Sequence, residues 1–286
     1  MNQSTTIVTA FFDIGRGNWN SSHGHLDHLE RTTDTYFNYF SQLAKLDNNI
    51  VVFTSSNFKE RILKIRKGKP TQVIVLDINK KFKYIIKKIS VIQHSHSFKE
   101  RINSEQLANP EYWCPEYVLL TNLKTYFVNK AVQLGLVRNE LISWIDFGYV
   151  RNNKTRYGIK KWNYPFDREK MHFFSIRDGL DLTNHNLIMK YLIENHTYII
   201  GGVIVGTKEQ WARLYKLTLN VQHDLLSSGI IDDDQGVFLV CANKKPDLVK
   251  IHFLGYMKWF SMFKLFNKNS KINYFERLAI QLRLMK

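Results

Sequence analysis

The sequence predicts an α/β protein built on a mainly parallel sheet, and three features carry that expectation. Strand-like and helix-like segments alternate from the N-terminus onward. An apolar run near the middle, Ile142-Ser143-Trp144-Ile145, ends in a lone carboxylate, Asp146, and turns at once through Phe147-Gly148. The length, 286 residues, suits one large α/β domain or two small ones, either able to bury a sizeable core.

Taken in order, residues 6–12 (TIVTAFF) form a β-branched apolar run and a first strand. A helix follows over 33–46, capped by Thr32 or Thr33, with Tyr36, Phe37, Phe40 and Leu43 on one face. Residues 49–54 (NIVVFT) make a second strand, the basic stretch 59–68 a helix ending at Gly68, and residues 72–76 (QVIVL) a third strand. This β-α-β-α-β order is that of a nucleotide-binding half-domain. An aromatic loop over 110–115 leads into a strong helix at 117–134, whose Lys124 and Lys130 either reach a site or solvate its exposed face, the second being favoured. After the central strand come an aromatic-rich polar connection (151–165) and mixed segments to Asn195. Residues 198–206 then read as a strand interrupted by Gly201-Gly202, where a ligand or another backbone comes close. A helix from Lys208 to about Leu225, the acidic run Asp232-Asp233-Asp234 and a final strand-like segment over 249–259 complete the core.

Composition narrows the function. A net charge of +16 implies an anionic partner, whether phosphorylated small molecule, nucleic acid or anionic membrane face. That charge is uneven, with thirteen Lys/Arg against three acids between Lys59 and Arg101, and seven against one between Met257 and Lys286. Aromatic residues at 14% argue against disorder and suit a thick core or a stacking site. Two cysteines, Cys114 and Cys241, far apart, give neither a disulfide framework nor a metal-finger spacing. The start lacks a signal-peptide pattern and no apolar run is long enough to span a bilayer, so a reduced cytoplasmic setting is expected. The interleaved apolar and basic residues of 263–286 are read as an amphipathic membrane-association tail on a domain spanning 1–262; a helix packed back on that domain is the alternative.

Several residues have the chemistry of a site. At the carboxyl ends of strands in an open α/β sheet ligands bind, which favours a functional Asp146, although a capping or turn Asp would look the same. The loop Asp13-Ile14-Gly15-Arg16-Gly17 after the first strand suits the approach of a base and its phosphates. The tract from His23 to His28 and the pair His94/His96, which alternates as on one strand face, are weak metal candidates.

The pattern TIVTAFFDIGRGNW, with WIDFGY in the middle and DDQ later, resembles the HtrL/YibB family of bacterial proteins associated with lipopolysaccharide-core loci. More loosely, IHFLGYMKWF is similar to the HFxGxxKPW signature, and IDDDQGVF to the DQD segment, of the glycogenin-like glycosyltransferases of family eight. Together these resemblances imply a GT-A-like fold and a UDP-hexose donor. They make His252 a metal ligand, put Gly255 and Lys258 at the donor diphosphate, and make Asp146 the first acid of a DxD pair. Asp234 and Gln235 would lie at the sugar and the acceptor hydroxyl, with Asp233 or Asp234 as general base in an inverting reaction, or Gln235 at the anomeric face in a retaining one. The chain departs from the pattern at three points: Gly148 replaces the second DxD acid, Gly236 the last acid of DQD, and Trp259 the proline.

The combined expectation is a cytoplasmic, metal-dependent glycosyltransferase at the inner face of the membrane, acting on a lipopolysaccharide or other lipid-linked acceptor. Thr9, Ala10, Asp13 and Arg16 would hold the nucleotide, Gly201 and Gly202 would admit the donor, and Mn²⁺ or Mg²⁺ would bridge the diphosphate, Asp146 and His252. The alternatives are a sugar nucleotidyltransferase, an inactive glycan- or nucleotide-sugar-binding relative, and a basic nucleic-acid-binding module. No Gly-rich lysine loop follows the first strand to support the first, and no recognised nucleic-acid motif supports the last.

Overall fold

The computed structural model describes residues 4–268 together with Phe275, Leu278 and Ala279. Seven strands form one sheet: β1 (Thr6–Phe11), β2 (Ile50–Thr54), β3 (Thr71–Val75), β4 (Leu141–Ile145), β5 (Met171–Ser175), β6 (Ile199–Thr207) and β7 (Val249–Phe253). They lie in the order β3-β2-β1-β4-β6-β5-β7. Strands β1 to β4 are mutually parallel, β5 and β7 pair in parallel, and β6 runs antiparallel to both its neighbours. The sheet is thus the mixed, mainly parallel one flanked by helices that the sequence implies.

Alternation along each strand divides the core between two faces. Val8, Ile142 and Trp144 pack on one side beneath helices Pro115–Asn122, Lys124–Gln133, Lys208–Ser227 and Asp234–Lys244. Ile7, Phe11, Leu141 and Ile145 pack on the other, against Phe37 and Phe40 of helix Thr33–Leu43 and against Trp162 and Phe263. Both faces are covered, which explains why β2 and β4 read as unbroken apolar runs buried along their whole length.

Helix termini follow local chemistry. Thr32 caps Thr33–Leu43, its hydroxyl accepting from Thr35 N at 3.1 Å. The single helix expected over 117–134 is two, Pro115–Asn122 and Lys124–Gln133, meeting at Leu123, whose backbone is not helical (ψ 1°). A strand at Met171–Ser175 and helices at Lys83–His94 and His185–Ile193 lie where the sequence was read only as mixed or left unassigned. Not every basic residue is available to a ligand. Arg66 is buried and donates to the carbonyls of Ala44, Leu46, Asn48 and Pro70, bracing the corner between β2 and β3.

The direction of β6 shapes the site. Since it opposes β4, with Ile145 opposite Val203, its beginning lies beside the carboxyl ends of β1 and β4. Asp146 N donates to Gly202 O at 2.9 Å there. Of the tail assigned to membrane association, most of residues 263–286 lie outside the described residues; Met262–Leu265 form one helical turn whose Phe263 is buried against Trp162.

Candidate active site

A cavity of about 310 Å³ opens at this edge of the sheet. Its walls are aromatic and its charges come from Arg16, Arg31, Lys124 and Arg151 on one hand and Asp13, Asp146, Asp233 and Asp234 on the other.

Lys124 is the hub. Its ammonium donates to Gly201 O at 2.9 Å and to Asp234 Oδ2 at 2.8 Å, and pairs with Asp146 Oδ1 at 3.0 Å. The Lys124 and Asp234 side chains are 6% and 3% exposed, whereas that of Asp146 is 41% exposed. Asp146 Oδ1 also accepts from Trp144 Nε1 at 2.6 Å, so that oxygen is fully engaged within the protein. Burial works to strip the proton from Lys124, but Asp146 and Asp234 together outweigh it and raise its pKa. The sequence favours a solvated face for this lysine over a site, whereas the structure buries it at the cavity. Its helical neighbours Leu120, Phe127, Val128 and Ala131 form an apolar stripe, and a lysine set into such a stripe was the available signal.

The acidic run is buried rather than solvated. Asp233 caps helix Asp234–Lys244, its Oδ1 accepting from Gln235 N at 2.8 Å. Burial and the neighbouring Glu111 push its carboxyl up to about 7. Asp234 is likewise raised to about 7, by burial first and by Asp233 and Asp146 next, with Lys124 acting in opposition. Asp232, one residue earlier, is raised further by the same burial and by Asp233.

Gly201 and Gly202 owe their identity to this cluster. A Cβ on Gly201 would lie 1.4 Å from Asp234 Oδ2, and one on Gly202 would lie 2.8 Å from the Tyr149 ring. The paired glycines therefore make room for the protein's own side chains, a nearer cause than the close approach of a donor.

Ala10 near the end of β1, and Asp13 and Arg16 of the loop after it, line the cavity. Asp13 folds the loop, accepting from Gly15 N at 2.8 Å and from the Thr33 hydroxyl at 2.6 Å. Arg16 lies 4.9 Å from the Trp19 ring centroid, donates to Tyr36 Oη at 2.7 Å and to Leu29 O at 3.0 Å, and leaves a buried Nε without a partner. Gln235 Oε1, on the same cavity wall, is a buried acceptor without a partner. Across the mouth, the Arg151 guanidinium lies 4.2 Å from the Tyr39 ring centroid, and Tyr149 Oη donates to Trp259 O at 2.9 Å.

Other expected residues fall elsewhere. Thr9 is fully buried within β1, short of the strand's end at Phe11, and does not line the cavity. Gly255 and Lys258 shape a tight turn, Lys258 N donating to Gly255 O at 3.1 Å; it is Trp259 and Phe260, just beyond, that line the cavity. His94 ends a helix rather than a strand, and the His23–His28 segment forms short turns on the surface.

The shared Asp146–His252 metal site is not formed. His252 lies away from the cavity, stacked on Phe174 and hydrogen-bonded to His172 Nδ1 at 2.8 Å. His172 Nε2 faces Asp167 O at 2.7 Å and must donate to it, so His172 Nδ1 accepts and His252 Nε2 carries the donated proton. Burial, with His172 and Lys250 adding to it, lowers the His252 pKa to about 3. Among the described residues no three His, Cys, Asp or Glu side chains gather as a metal site. The donor set does not fit a divalent cation held by protein ligands, since the Lys124 ammonium sits where Asp146 and Asp234 converge.

Fold and site together define an α/β protein with an aromatic-walled cavity, lined by charges of both signs, at the carboxyl edge of a mixed sheet. The chain belongs to the HtrL/YibB family, matching it over residues 3–268 under the description "Bacterial protein of unknown function". It is 50% identical over 270 residues to Protein HtrL of Escherichia coli (strain K12), which spans 94% of this chain and 95% of that protein. Among solved structures it bears a distant likeness to apo mouse xyloside xylosyltransferase 1, at TM-score 0.41 and 13% identity over 86% of this chain and 84% of that one. A similar likeness holds to the inositol-1-phosphate CTP transferase from T. maritima, at TM-score 0.39 and 12% identity over 89% and 87% of the two chains.

Proposed function

We propose that the protein is a glycosyltransferase that moves a hexose from a UDP-sugar to a lipopolysaccharide, lipooligosaccharide or other lipid-linked acceptor at the inner face of the cytoplasmic membrane. The observation that carries this reading is a cavity wall bearing an orphaned buried donor, Arg16 Nε, and an orphaned buried acceptor, Gln235 Oε1, among three arginines. Such a wall asks for a ligand that is both anionic and rich in hydroxyls. A nucleotide sugar is one.

In this reading Arg16, Arg31 and Arg151 face the diphosphate, and Tyr36 and its aromatic neighbours supply surface for the base. Asp146, which lines the cavity, accepts from a hydroxyl of the donor. Asp234 and Gln235 lie at the sugar and the acceptor hydroxyl. During transfer the bond from the anomeric carbon to the diphosphate oxygen breaks and the bond to the acceptor oxygen forms. The acceptor's proton passes to Asp233, whose raised pKa of about 7 suits a general base near neutral pH. The leaving diphosphate's charge is met by the arginines. Mn²⁺ or Mg²⁺, expected from the family-eight resemblance, has no step here because the side chains do not fit it.

The test is binding and turnover of several UDP-hexoses by the purified protein, with Mn²⁺ and again with a chelator. Specific UDP-hexose binding that survives chelation, with slow UDP release, is the expected result. Absence of binding under both conditions rules the reading out, and binding that requires the ion overturns the metal-free part of it. Binding without any UDP release, even with acceptor glycolipid, would mark an inactive nucleotide-sugar-binding relative.

A further inference from the structure

Far from the candidate active site in sequence, helix Lys83–His94 and the turn before it, Ile78–Lys81, present an unusual surface. Residues 78–94 carry Lys80, Lys81, Lys83, Lys87 and Lys88 and no acid. All five lysines are exposed, and none forms an ion pair among the described residues. Apolar side chains stand among them, with Tyr84 86% exposed, Val91 63% and Ile85 41%. Helical spacing puts Tyr84, Lys87, Lys88 and Val91 on one face, while Ile89 and Ile92 hold the opposite face in the core.

Beside this face lies a groove of about 360 Å³ between that helix and helices Pro115–Asn122 and Lys208–Ser227. Its floor is aliphatic, with Leu119, Leu123, Leu225 and Ile231, and Lys88 and Ile85 stand on its rim. A bare cationic surface would fit any polyanion. Exposed apolar residues at the centre of the cationic patch, next to an apolar groove, fit an anionic ligand with a hydrocarbon part.

We propose that this face docks the protein on an anionic lipid bilayer. The five lysines lie against the headgroups, Tyr84 and Val91 enter the boundary between headgroups and acyl chains, and the groove takes the end of an acyl chain. This surface uses none of residues 263–286, and its binding does not depend on the glycosyl-transfer reading.

Vesicle co-sedimentation of the full chain tests it, using phosphatidylglycerol/phosphatidylcholine vesicles against pure phosphatidylcholine at low and high salt. Binding is expected to the anionic vesicles alone and to weaken with salt. Replacing Lys83, Lys87 and Lys88 together by Gln should weaken it about 100-fold, at about fivefold per lysine. Tyr84→Trp should show fluorescence quenched by brominated acyl chains. Normal binding by the triple variant, an unquenched Trp, or failure of the parent to bind anionic vesicles overturns the proposal. So does tighter binding to single- or double-stranded nucleic acid through the same three lysines. A circular dichroism spectrum matching the parent's is required of each variant, and the exposed positions of all four substitutions make that the expected result.

Discussion

Replacing Lys124 by Met removes the cation that joins three separate parts of the chain, and the consequence should depend on pH in a definite direction. The change deletes a 2.9 Å bond to Gly201 O, a 2.8 Å bond to Asp234 and a 3.0 Å pair with Asp146. Asp146, at 41% side-chain exposure, can turn to solvent, so most of the cost falls on Asp234, at 3%. Removing one partner of a buried pair costs about 3–5 kcal/mol while the other stays charged. Asp234 has an escape, because its carboxyl already sits at about 7 against 3.8 in the unfolded chain, and loss of Lys124 raises it further. A group raised in this way contributes stability that is full below its unfolded pKa and lost as pH rises through the folded value. The variant should therefore be about 3 kcal/mol less stable than the parent at pH 8.5. At pH 5.5, where Asp234 holds its proton in both proteins, the deficit should shrink to about 1 kcal/mol, the worth of ordinary hydrogen bonds. Urea unfolding followed by tryptophan fluorescence at the two pH values measures this. Adding Asp234→Asn to Lys124→Met should recover much of the loss at pH 8.5, giving a clear coupling energy. A deficit equal at both pH values, or none at 8.5, refutes the buried-pair reasoning.

Two further outcomes follow from the packing around the site. Gly201→Ala would put a Cβ 1.4 Å from Asp234 Oδ2, so it should cost more than about 4 kcal/mol; a thermal midpoint near the parent's would show that the Lys124–Asp234 pair is not where it is described. His252→Phe should leave UDP-hexose affinity unchanged and flatten the acid limb of stability. The His252 pKa lies at about 3 against 6.5 unfolded, so its contribution is present above 6.5 and lost as pH falls below it. Chemical denaturation at pH 7.5 and 5 compares the two proteins, and a variant losing as much stability as the parent on acidification would contradict this account.

Much of the fold was legible because its signals are local. Runs such as IVVFT in β2 and LISWI in β4 are buried on both faces and so show as unbroken apolar sequence, while Thr32 marks a helix start by its own hydroxyl. The strand MHFFS of β5 is harder to read, since a histidine in its second position breaks the apolar run at its start. Of the candidate site, Asp146, Asp233, Asp234 and Gln235 do line one cavity, as do Ala10, Asp13 and Arg16. Lys124 reads as either a site residue or a solvated one, solvation being the ordinary case, and only its partners 22 and 110 positions away decide between the two. His252 misled in the opposite way. A histidine in an apolar strand looks like a ligand when a motif surrounds it, but its nitrogen is satisfied by His172, 80 residues earlier. Sequence spacing carries no record of such pairings.

The reversed strand β6 has a bearing on how the protein is made. Residues 13, 146, 201 and 234 reach one sheet edge only after the chain has gone out and back across the whole sheet, with β6 inserted between β4 and β5. Strands β1 to β4 can pair as soon as they emerge, but the pocket lacks a wall until the last third of the chain arrives. During synthesis Lys124 is a solvated lysine awaiting its carboxylates, and the nascent protein has no place to hold a ligand. Completion of the cavity therefore comes late in the chain, and a chain truncated before Asp234 should lack the wall that Asp234 and Gln235 supply.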